Sequence, residues 1–143
     1  MATINPYLIF AGNTEEAFKF YKSVFGGEFL DLKRFKDIPE NEKVGPDEKE
    51  KIMHISLPIR KGNILMASDA LDSMGDKVTT GDNFQLSVEA ESKEEATKLF
   101  NGLSNGGKVT VPLADAFWGA YFGMLNDKFG IQWMVSYTHP QNQ

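Results

Sequence analysis

Few side chains in this sequence could carry out chemistry at neutral pH. There are two histidines, His54 and His139, and no cysteine, so disulfides, thiolate zinc sites and cysteine nucleophiles are excluded. His54 lies within an apolar segment, where its imidazole could act as a general base or donate to a bound oxyanion. The other open interpretation is a structural histidine that is hydrogen-bonded within a sheet. His139 lies in a Pro-containing tail and is expected to be solvated.

The surroundings of His54 can be predicted in part. If residues 51–60 form a strand, alternation places His54 on the same face as Ile52 and Ser56. Asp69 ends a second predicted strand, where its carboxylate could either cap a turn or orient the imidazole. The sequence leaves both roles of Asp69 open.

An aromatic segment, 117–122, offers a binding function instead of a catalytic one. If it forms a strand, Trp118 and Phe122 share one face while Tyr121 lies on the other. We expect one face to meet the helices and the other to line a pocket. An aromatic and methionine lining suits a planar or apolar ligand, although both faces could also be plain core.

The first half of the chain contains the elements that would position His54. A helix is predicted over 13–25, because Asn13 is a good N-cap, Glu16 completes a capping-box arrangement, and apolar residues recur at helical spacing. Gly26 and Gly27 end this helix. Strands are predicted at 5–10, 28–35, 51–60 and 64–68.

The second half repeats this order. Phe84, Leu86 and Val88 alternate with polar residues as in a half-buried strand. Ser92 and Glu95 form a second capping box, which begins a helix that ends at Gly106-Gly107. Further strands are predicted at 108–113, 118–125 and 131–137, with a turn at 127–130 between the last two.

The two halves also match residue by residue. Segment 15–21 aligns with 94–100, and segment 62–68 aligns with 130–136, which pairs Met66 with Met134. We therefore predict a duplicated module within a single domain over residues 1–143. Module one spans about 4–69, a linker 70–82, and module two about 83–137.

Charge and hydrophobicity exclude several classes of partner. A net charge of −5 without a basic patch argues against nucleic acid. No apolar run approaches the ~20 residues of a membrane helix, and no secretion signal precedes residue 10, so a cytoplasmic location is expected. Residues 37–50 contain prolines, a glycine and many charges, which is typical of an exposed loop and makes this segment the natural candidate for a lid.

The sequence resembles the vicinal oxygen chelate superfamily of glyoxalase I, bleomycin-resistance proteins and extradiol dioxygenases. It is most similar to the PhnB-like branch, which is labelled 3-demethylubiquinone 3-methyltransferase-like. The resemblance rests on Pro6-Tyr7-Leu8-Ile9-Phe10, on Met53-His54 with Met66-Ala67-Ser68-Asp69, and on Phe117-Trp118-Gly119 followed by Asp127-Lys128-Phe129-Gly130-Ile131-Gln132-Trp133. It implies an α+β fold in which two paired βαβββ modules form a cupped mixed sheet with the helices outside. The cup would be the ligand site, and homodimers are common in the family.

The resemblance also implies four metal-ligand positions, on the first and last strands of each module. They fall at Pro6, Met66, Asn83 or Gln85, and Met134. One amide and two thioethers are poor ligands for a divalent metal, so we predict no metal and no other cofactor. The predicted ligand pocket comprises Met66, Gln85, Trp118, Tyr121 and Met134.

Three functional hypotheses follow. The first is a metal-free protein that binds a small apolar or aromatic molecule, as sequestration-type resistance proteins do. The second is an enzyme of the same superfamily, of lyase, isomerase or dioxygenase type, that uses His54 or an unconventional metal site. The third is a structural role as a homodimer. The sequence lacks the Gly-rich turn of a nucleotide-cofactor fold and the Gly-x-Ser-x-Gly elbow of a serine hydrolase.

Overall fold

A computed structural model describes residues 2–39, 44–60 and 62–140. The chain divides into two compact units, with the boundary between Thr79 and Thr80. This boundary lies inside the predicted linker 70–82. Each unit contains one α-helix and one four-stranded mixed sheet.

The first unit has the order strand, helix and three strands. These are β1 (Tyr7–Phe10), α1 (Thr14–Phe25), β2 (Asp31–Arg34), β3 (Ile52–Pro58) and β4 (Ile64–Asp69). In the sheet the strand order is β1-β4-β3-β2, with β1 parallel to β4 and the other neighbours antiparallel.

The second unit has the same layout. It contains β5 (Leu86–Glu89), α2 (Lys93–Ser104), β6 (Lys108–Asp115), β7 (Ala120–Asn126) and β8 (Gln132–Thr138). The strand order β5-β8-β7-β6 repeats that of the first sheet, again with one parallel pair, β5 and β8. The predicted α+β class and the two βαβββ modules are confirmed. The pairing of the modules into one cup stays a prediction.

In each unit the helix packs on one face of the sheet and builds the core there. Alternate residues of the strands point toward the helix and are buried, as in Leu65 and Ala67 of β4 and Trp133 and Val135 of β8. The buried residues of α1 are Thr14, Ala17, Phe18 and Tyr21, and those of α2 are Ala96, Leu99, Phe100 and Leu103. The apolar periodicity of α1 and α2 therefore determines which face of each helix is buried.

The two helices begin differently, and one predicted cap is wrong. Asn13 precedes α1 but makes no side-chain cap hydrogen bond. Instead the buried carboxylate of Asp69 accepts from the backbone N–H of Thr14 at 3.0 Å and from that of Ile52 at 2.8 Å. Asp69 thus joins the start of α1 to β3, which is neither of its two predicted roles, the capping of a turn and the orientation of His54.

The predicted cap of α2 is confirmed. The hydroxyl of Ser92 accepts from the backbone N–H of Glu95 at 3.0 Å. The Glu95 carboxylate reaches back one residue further than a capping box requires and accepts from the N–H of Glu91 at 3.1 Å. The residues that form these hydrogen bonds all lie between 91 and 95, so the cap of α2 does not involve the sheet.

Several predicted strands start two or three residues later than expected, and two of these differences concern aromatic residues. β5 begins at Leu86, which leaves Phe84 outside the strand and 59% exposed. β7 begins at Ala120, so Trp118 lies in a turn and not in a strand. The turn is closed by the Gly119 N–H donating to the Ala116 carbonyl, and Gly119 has φ +93°, which ordinary side chains disfavour.

β6 is the edge strand of the second sheet, and seven of its eight residues are exposed. Its pairing with β7 is irregular, with register shifts between Val109 and Val111 and between Val111 and Ala114. Pro112 lies within the second of these irregularities.

Residues 37–39 and 44–50 contain only the end of a short 3-10 helix and turns. The rest of the predicted 37–50 loop, residues 40–43, lies outside the described residues, and its role as a lid stays a prediction. Among the helices that the structure describes, none is long and apolar enough to cross a membrane.

Candidate functional site

The face of the first sheet that points away from α1 carries a row of polar and thioether side chains. Pairing across the strands places Tyr7 opposite Met66, Met66 opposite Ser56, and Ser56 opposite Asp31. The neighbouring residues of β1, β4 and β3 are buried on the helix side of the sheet, so this row faces the other way; they are Leu8, Leu65, Ala67, Ile55 and Leu57. Met66 is thus on the face where the ligand was predicted.

His54 lies on this face, next to two side chains that the sequence did not connect with it. Its Nδ1 is 3.4 Å from the hydroxyl oxygen of Tyr7, and its Nε2 is 3.8 Å from Oδ2 of Asp31. His54 and Ser56 share a face as predicted, but a register shift separates Ile52 from both. Asp69, the predicted alternative partner, is engaged by Thr14 and Ile52 instead.

The corresponding face of the second sheet is more apolar. Ser87 lies opposite Met134, and Met134 lies opposite Met124. One step further along β7, Phe122 meets Trp118 edge to face, with ring centroids 5.3 Å apart. Trp118, which belongs to the turn before β7, is 55% exposed. The structure therefore brings Met134 and the aromatic pair onto neighbouring positions of one face.

Two other predicted pocket residues lie elsewhere in the second unit. Tyr121 points toward α2, where its hydroxyl is 3.2 Å from that of Thr97 and the Lys93 ammonium lies 4.6 Å from its ring centroid. Gln85 precedes β5 and is half-buried, and its side-chain oxygen is shielded with no hydrogen-bond partner in the described structure. Their assignment to a ligand pocket stays a prediction.

The donor atoms on these faces do not fit the metal site of the superfamily. Parallel pairing places Tyr7 opposite Met66 and Ser87 opposite Met134, whereas the predicted positions Pro6, Asn83 and Gln85 precede β1 and β5. The four positions therefore offer two thioethers, a phenol and a hydroxyl, whereas a divalent cation needs several carboxylate or imidazole donors. Nowhere in residues 2–39, 44–60 and 62–140 do three or more His, Asp or Glu side chains form a group suited to a metal ion.

A carboxylate that sequence reasoning missed lies on the same face of the second sheet. Glu89 is opposite Ser136, accepts from the Ser136 hydroxyl, and accepts from the Thr138 N–H at 2.8 Å. Partial burial raises its pKa, but these hydrogen bonds outweigh that effect and hold the pKa of Glu89 below its usual value. Side chains alternate between the two faces along β5, so the sequence could have shown that Glu89 shares a face with Ser87.

His139 was expected to be solvated, but in the structure it contacts other residues. Its Nε2 is 2.8 Å from Oδ1 of Asp115, and its backbone N–H donates to Gly119. The hydrogen bond from His139 lowers the pKa of Asp115. His139 therefore fastens the end of β8 to the turn that contains Trp118.

Comparison with known proteins places this geometry in context. Residues 2–136 match the family described as 3-demethylubiquinone-9 3-methyltransferase. The protein YjdN of Escherichia coli K12 is 30% identical over 146 residues, which cover 96% of this chain and 97% of that protein. Protein PA1353 of Pseudomonas aeruginosa is 40% identical, with a TM-score of 0.85 over 98% of this chain and 100% of its own. A PhnB protein of Bacillus cereus is 28% identical, with a TM-score of 0.76 over 96% and 100% of the two chains.

More distant solved structures share the fold alone. A glyoxalase/bleomycin resistance protein/dioxygenase family enzyme of Burkholderia phytofirmans is 16% identical, with a TM-score of 0.59 over 93% of this chain and 97% of that one. The fosfomycin resistance protein FosX of Listeria monocytogenes, which was solved with Mn(II) and sulfate, is 10% identical, with a TM-score of 0.64 over 96% and 93%. The predicted glyoxalase-like fold is confirmed by these likenesses.

Proposed function

Because the chain belongs to the PhnB-like family described as 3-demethylubiquinone-9 3-methyltransferase, within the vicinal oxygen chelate superfamily, we propose that it is a small-molecule binding protein. Its ligand is a small apolar or aromatic compound, which contacts a sheet face that points away from its helix. It binds this ligand without a divalent metal.

The observation that carries this proposal is the lining of the second sheet. Met134 and Met124 lie side by side, and the Trp118–Phe122 pair continues the same surface. Methionine adapts its shape to a ligand, and aromatic rings offer large contact areas to planar molecules. The shortage of carboxylate and imidazole donors opposite Met66 and Met134 supports the metal-free part.

The family description does not by itself indicate that this chain transfers methyl groups. A methyl donor built on a nucleotide is usually bound at a Gly-rich turn that follows a strand in a parallel βαβ fold. Here β1 is followed by Ala11-Gly12-Asn13, and each sheet has two antiparallel strand pairs and one parallel pair. We therefore propose binding in preference to methyl transfer.

An enzyme of lyase or isomerase type is the second candidate, because His54 lies between a phenol and a carboxylate on the first sheet. An imidazole in such a position can exchange protons with a ligand near neutral pH. Turnover of any candidate substrate that stops in His54→Gln, while ligand binding persists, would favour this alternative.

A thermal-shift panel of aromatic metabolites and antibiotics tests the binding proposal. A ligand at 100 times its dissociation constant stabilises the folded state by about 2.7 kcal/mol. We expect Met134→Gln to reduce the shift given by a hit, and Met74→Gln, in the short 3-10 helix 72–74, to leave it unchanged. A panel without hits, or shifts that are equal in both variants, would contradict the proposal.

The metal-free part is tested separately by elemental analysis of protein purified without chelator. Near-stoichiometric zinc, manganese, iron or nickel would overturn it. A homodimer and a cytoplasmic location also belong to the proposal, and light scattering at several protein concentrations checks the first of these.

A further inference from the structure

We propose that Tyr7, His54 and Asp31 form a proton relay on the first sheet, which selects ligands with a weakly acidic O–H group and binds them as anions. A phenol or a stabilised enol has the required chemistry. The inference rests on the proposed binding function and adds to it the class of ligand. It concerns the first sheet, whereas the binding proposal rests on the second.

The relay follows from the order of the three groups. The imidazole of His54 lies between the Tyr7 hydroxyl, 3.4 Å from Nδ1, and the Asp31 carboxylate, 3.8 Å from Nε2. Because a carboxylate only accepts, it favours the tautomer with the proton on Nε2. Nδ1 then carries a lone pair, and the Tyr7 hydroxyl can donate to it.

Exposure decides which of the three groups meets a ligand. Tyr7 is 46% exposed, whereas the side chains of His54 and Asp31 are 28% and 35% exposed. Tyr7 is bordered on the same face by Met66, its cross-strand partner, and by Ile9, two residues along β1. A ligand oxygen would therefore meet the phenol group, while the ligand's apolar body lies on the methionine and isoleucine.

The proton transfer balances without any further reactant. The ligand O–H proton passes to the oxygen of Tyr7, while the phenol proton passes to Nδ1 of His54. The ligand becomes an anion and His54 an imidazolium, which the Asp31 carboxylate stabilises. Lys33, which is cationic, is the cross-strand partner of His54, and Asp31 is the acidic residue that lies within 3.8 Å of the imidazole.

The second sheet has the same backbone positions without the relay groups. Ser56 and Met124 are the partners of Met66 and Met134, and Phe122, two residues before Met124, therefore occupies the position of His54. Ser87 occupies the position of Tyr7. A phenyl ring cannot take up a proton, so the second sheet lacks this relay.

The tautomer of His54 tests the relay without any ligand. With only two histidines in the chain, ¹⁵N-labelled imidazole spectra are readily assigned by comparison with His139→Gln. At a pH where His54 is neutral, we expect the Nε2–H tautomer, a shift of the Nδ1 resonance in Tyr7→Phe, and a loss of tautomer preference in Asp31→Asn. Tyr121→Phe, which removes a hydroxyl from the second unit, should leave the His54 resonances unchanged. A dominant Nδ1–H tautomer, or no response to Tyr7→Phe, would overturn the relay.

Two matched probes then test the ligand class. 4-Nitrophenol carries an acidic O–H and nitrobenzene does not. We expect Tyr7→Phe to weaken binding of 4-nitrophenol about fivefold, the loss of roughly one hydrogen bond, and to leave nitrobenzene unaffected. Bound 4-nitrophenol should show phenolate absorbance at a pH below its own pKa.

The outcomes separate the two proposals. Binding of both probes with equal losses in Tyr7→Phe, or binding of 4-nitrophenol in its neutral form, would overturn the relay and leave the binding function intact. Failure of both probes to bind at millimolar concentration would overturn the assignment of this sheet to acidic ligands, while the thermal-shift panel still decides the binding function.

Discussion

The two modules of this chain share their strand order, helix placement and one buried face, but different polar groups hold them together. In the first module, α1 starts at a carboxylate that lies 55 residues further along the chain, on Asp69. In the second module, α2 starts at the hydroxyl of Ser92, three residues from the N–H that it accepts. The layout is thus set by the repeated apolar pattern, and each copy satisfies the N–H groups at the start of its helix in its own way.

The packing between helix and sheet differs in the same manner. Ile55 is fully buried in β3, and the corresponding residue of β7 is Gly123. A Cβ atom added to Gly123 would lie 2.7 Å from Cε2 of Phe100, so this phenyl ring occupies the space that an isoleucine fills in the first module. One backbone layout therefore accommodates two different arrangements of core side chains.

The largest effect is expected where the first module depends on a distant carboxylate. Asp69→Ala leaves two buried backbone N–H groups without an acceptor, which should cost about 3 kcal/mol in the free energy of unfolding. Urea denaturation measures this loss, and Asp72→Ala, at an exposed position, is the control. A loss below about 1 kcal/mol would show that α1 does not need this anchor.

The next effect tests the packing difference. Gly123→Ala should destabilise the protein by about 2 kcal/mol, because the new methyl group would overlap Phe100 and the backbone of Leu113. Gly81→Ala is the matched control, since the nearest atom to its added Cβ is 3.8 Å away. Equal midpoints in thermal denaturation of the two variants would contradict the close approach.

A smaller effect separates the two helix starts directly. Ser92→Ala should cost about 1 kcal/mol, the usual value of a lost N-cap, whereas Asn13→Ala should change stability little because its side chain caps nothing. Both losses are measured by urea denaturation of otherwise identical proteins. Similar losses from both substitutions would show that the two helices start alike after all.

The smallest effect concerns the ion pair that joins α1 to β2. Arg34 donates to both carboxylate oxygens of Glu15, at 3.0 and 2.6 Å, and this hydrogen bonding lowers the pKa of Glu15. Because the side chain of Glu15 is 34% exposed, solvent screens the pair and Glu15→Gln should cost less than about 1 kcal/mol. Glu94→Gln, at the corresponding position of α2, is the control.

The pH dependence of this last effect has a definite sign. A depressed folded-state pKa contributes stability above the unfolded pKa, and that contribution is lost as the pH falls through the folded value. The difference between wild type and Glu15→Gln should therefore be full at pH 7 and shrink in acid. A difference that grows as the pH falls would contradict the ion pair.

The layout of the modules could be predicted from the sequence because it depends on local patterns. Apolar spacing located α1 and α2, and the aligned segments paired Met66 with Met134 on equivalent strands. What could not be predicted depends on contacts between distant residues. The parallel register that places Tyr7 opposite Met66 joins residues far apart in the chain, and no local signal specifies it.

The same limit explains the errors at the candidate site. The approach of Asp31 to His54 requires β2 and β3 to pair in one register across the intervening loop. The turn at Trp118 follows from the positive φ of Gly119, which a strand-like run of aromatic residues does not reveal. Local sequence patterns therefore identified the residue types of the site, whereas the pairing of distant strands determines which side chains lie next to one another.

The irregular edge strand β6 has a consequence for the behaviour of this protein at high concentration. A long exposed edge offers free N–H and C=O groups to a strand of another molecule, which is the first step of fibril growth. Pro112 has no N–H to offer, and the register shifts between Val109 and Val111 and between Val111 and Ala114 interrupt the ladder. The edge is thus divided into segments too short to template a cross-β stack, so β6 can remain exposed while the protein stays dispersed.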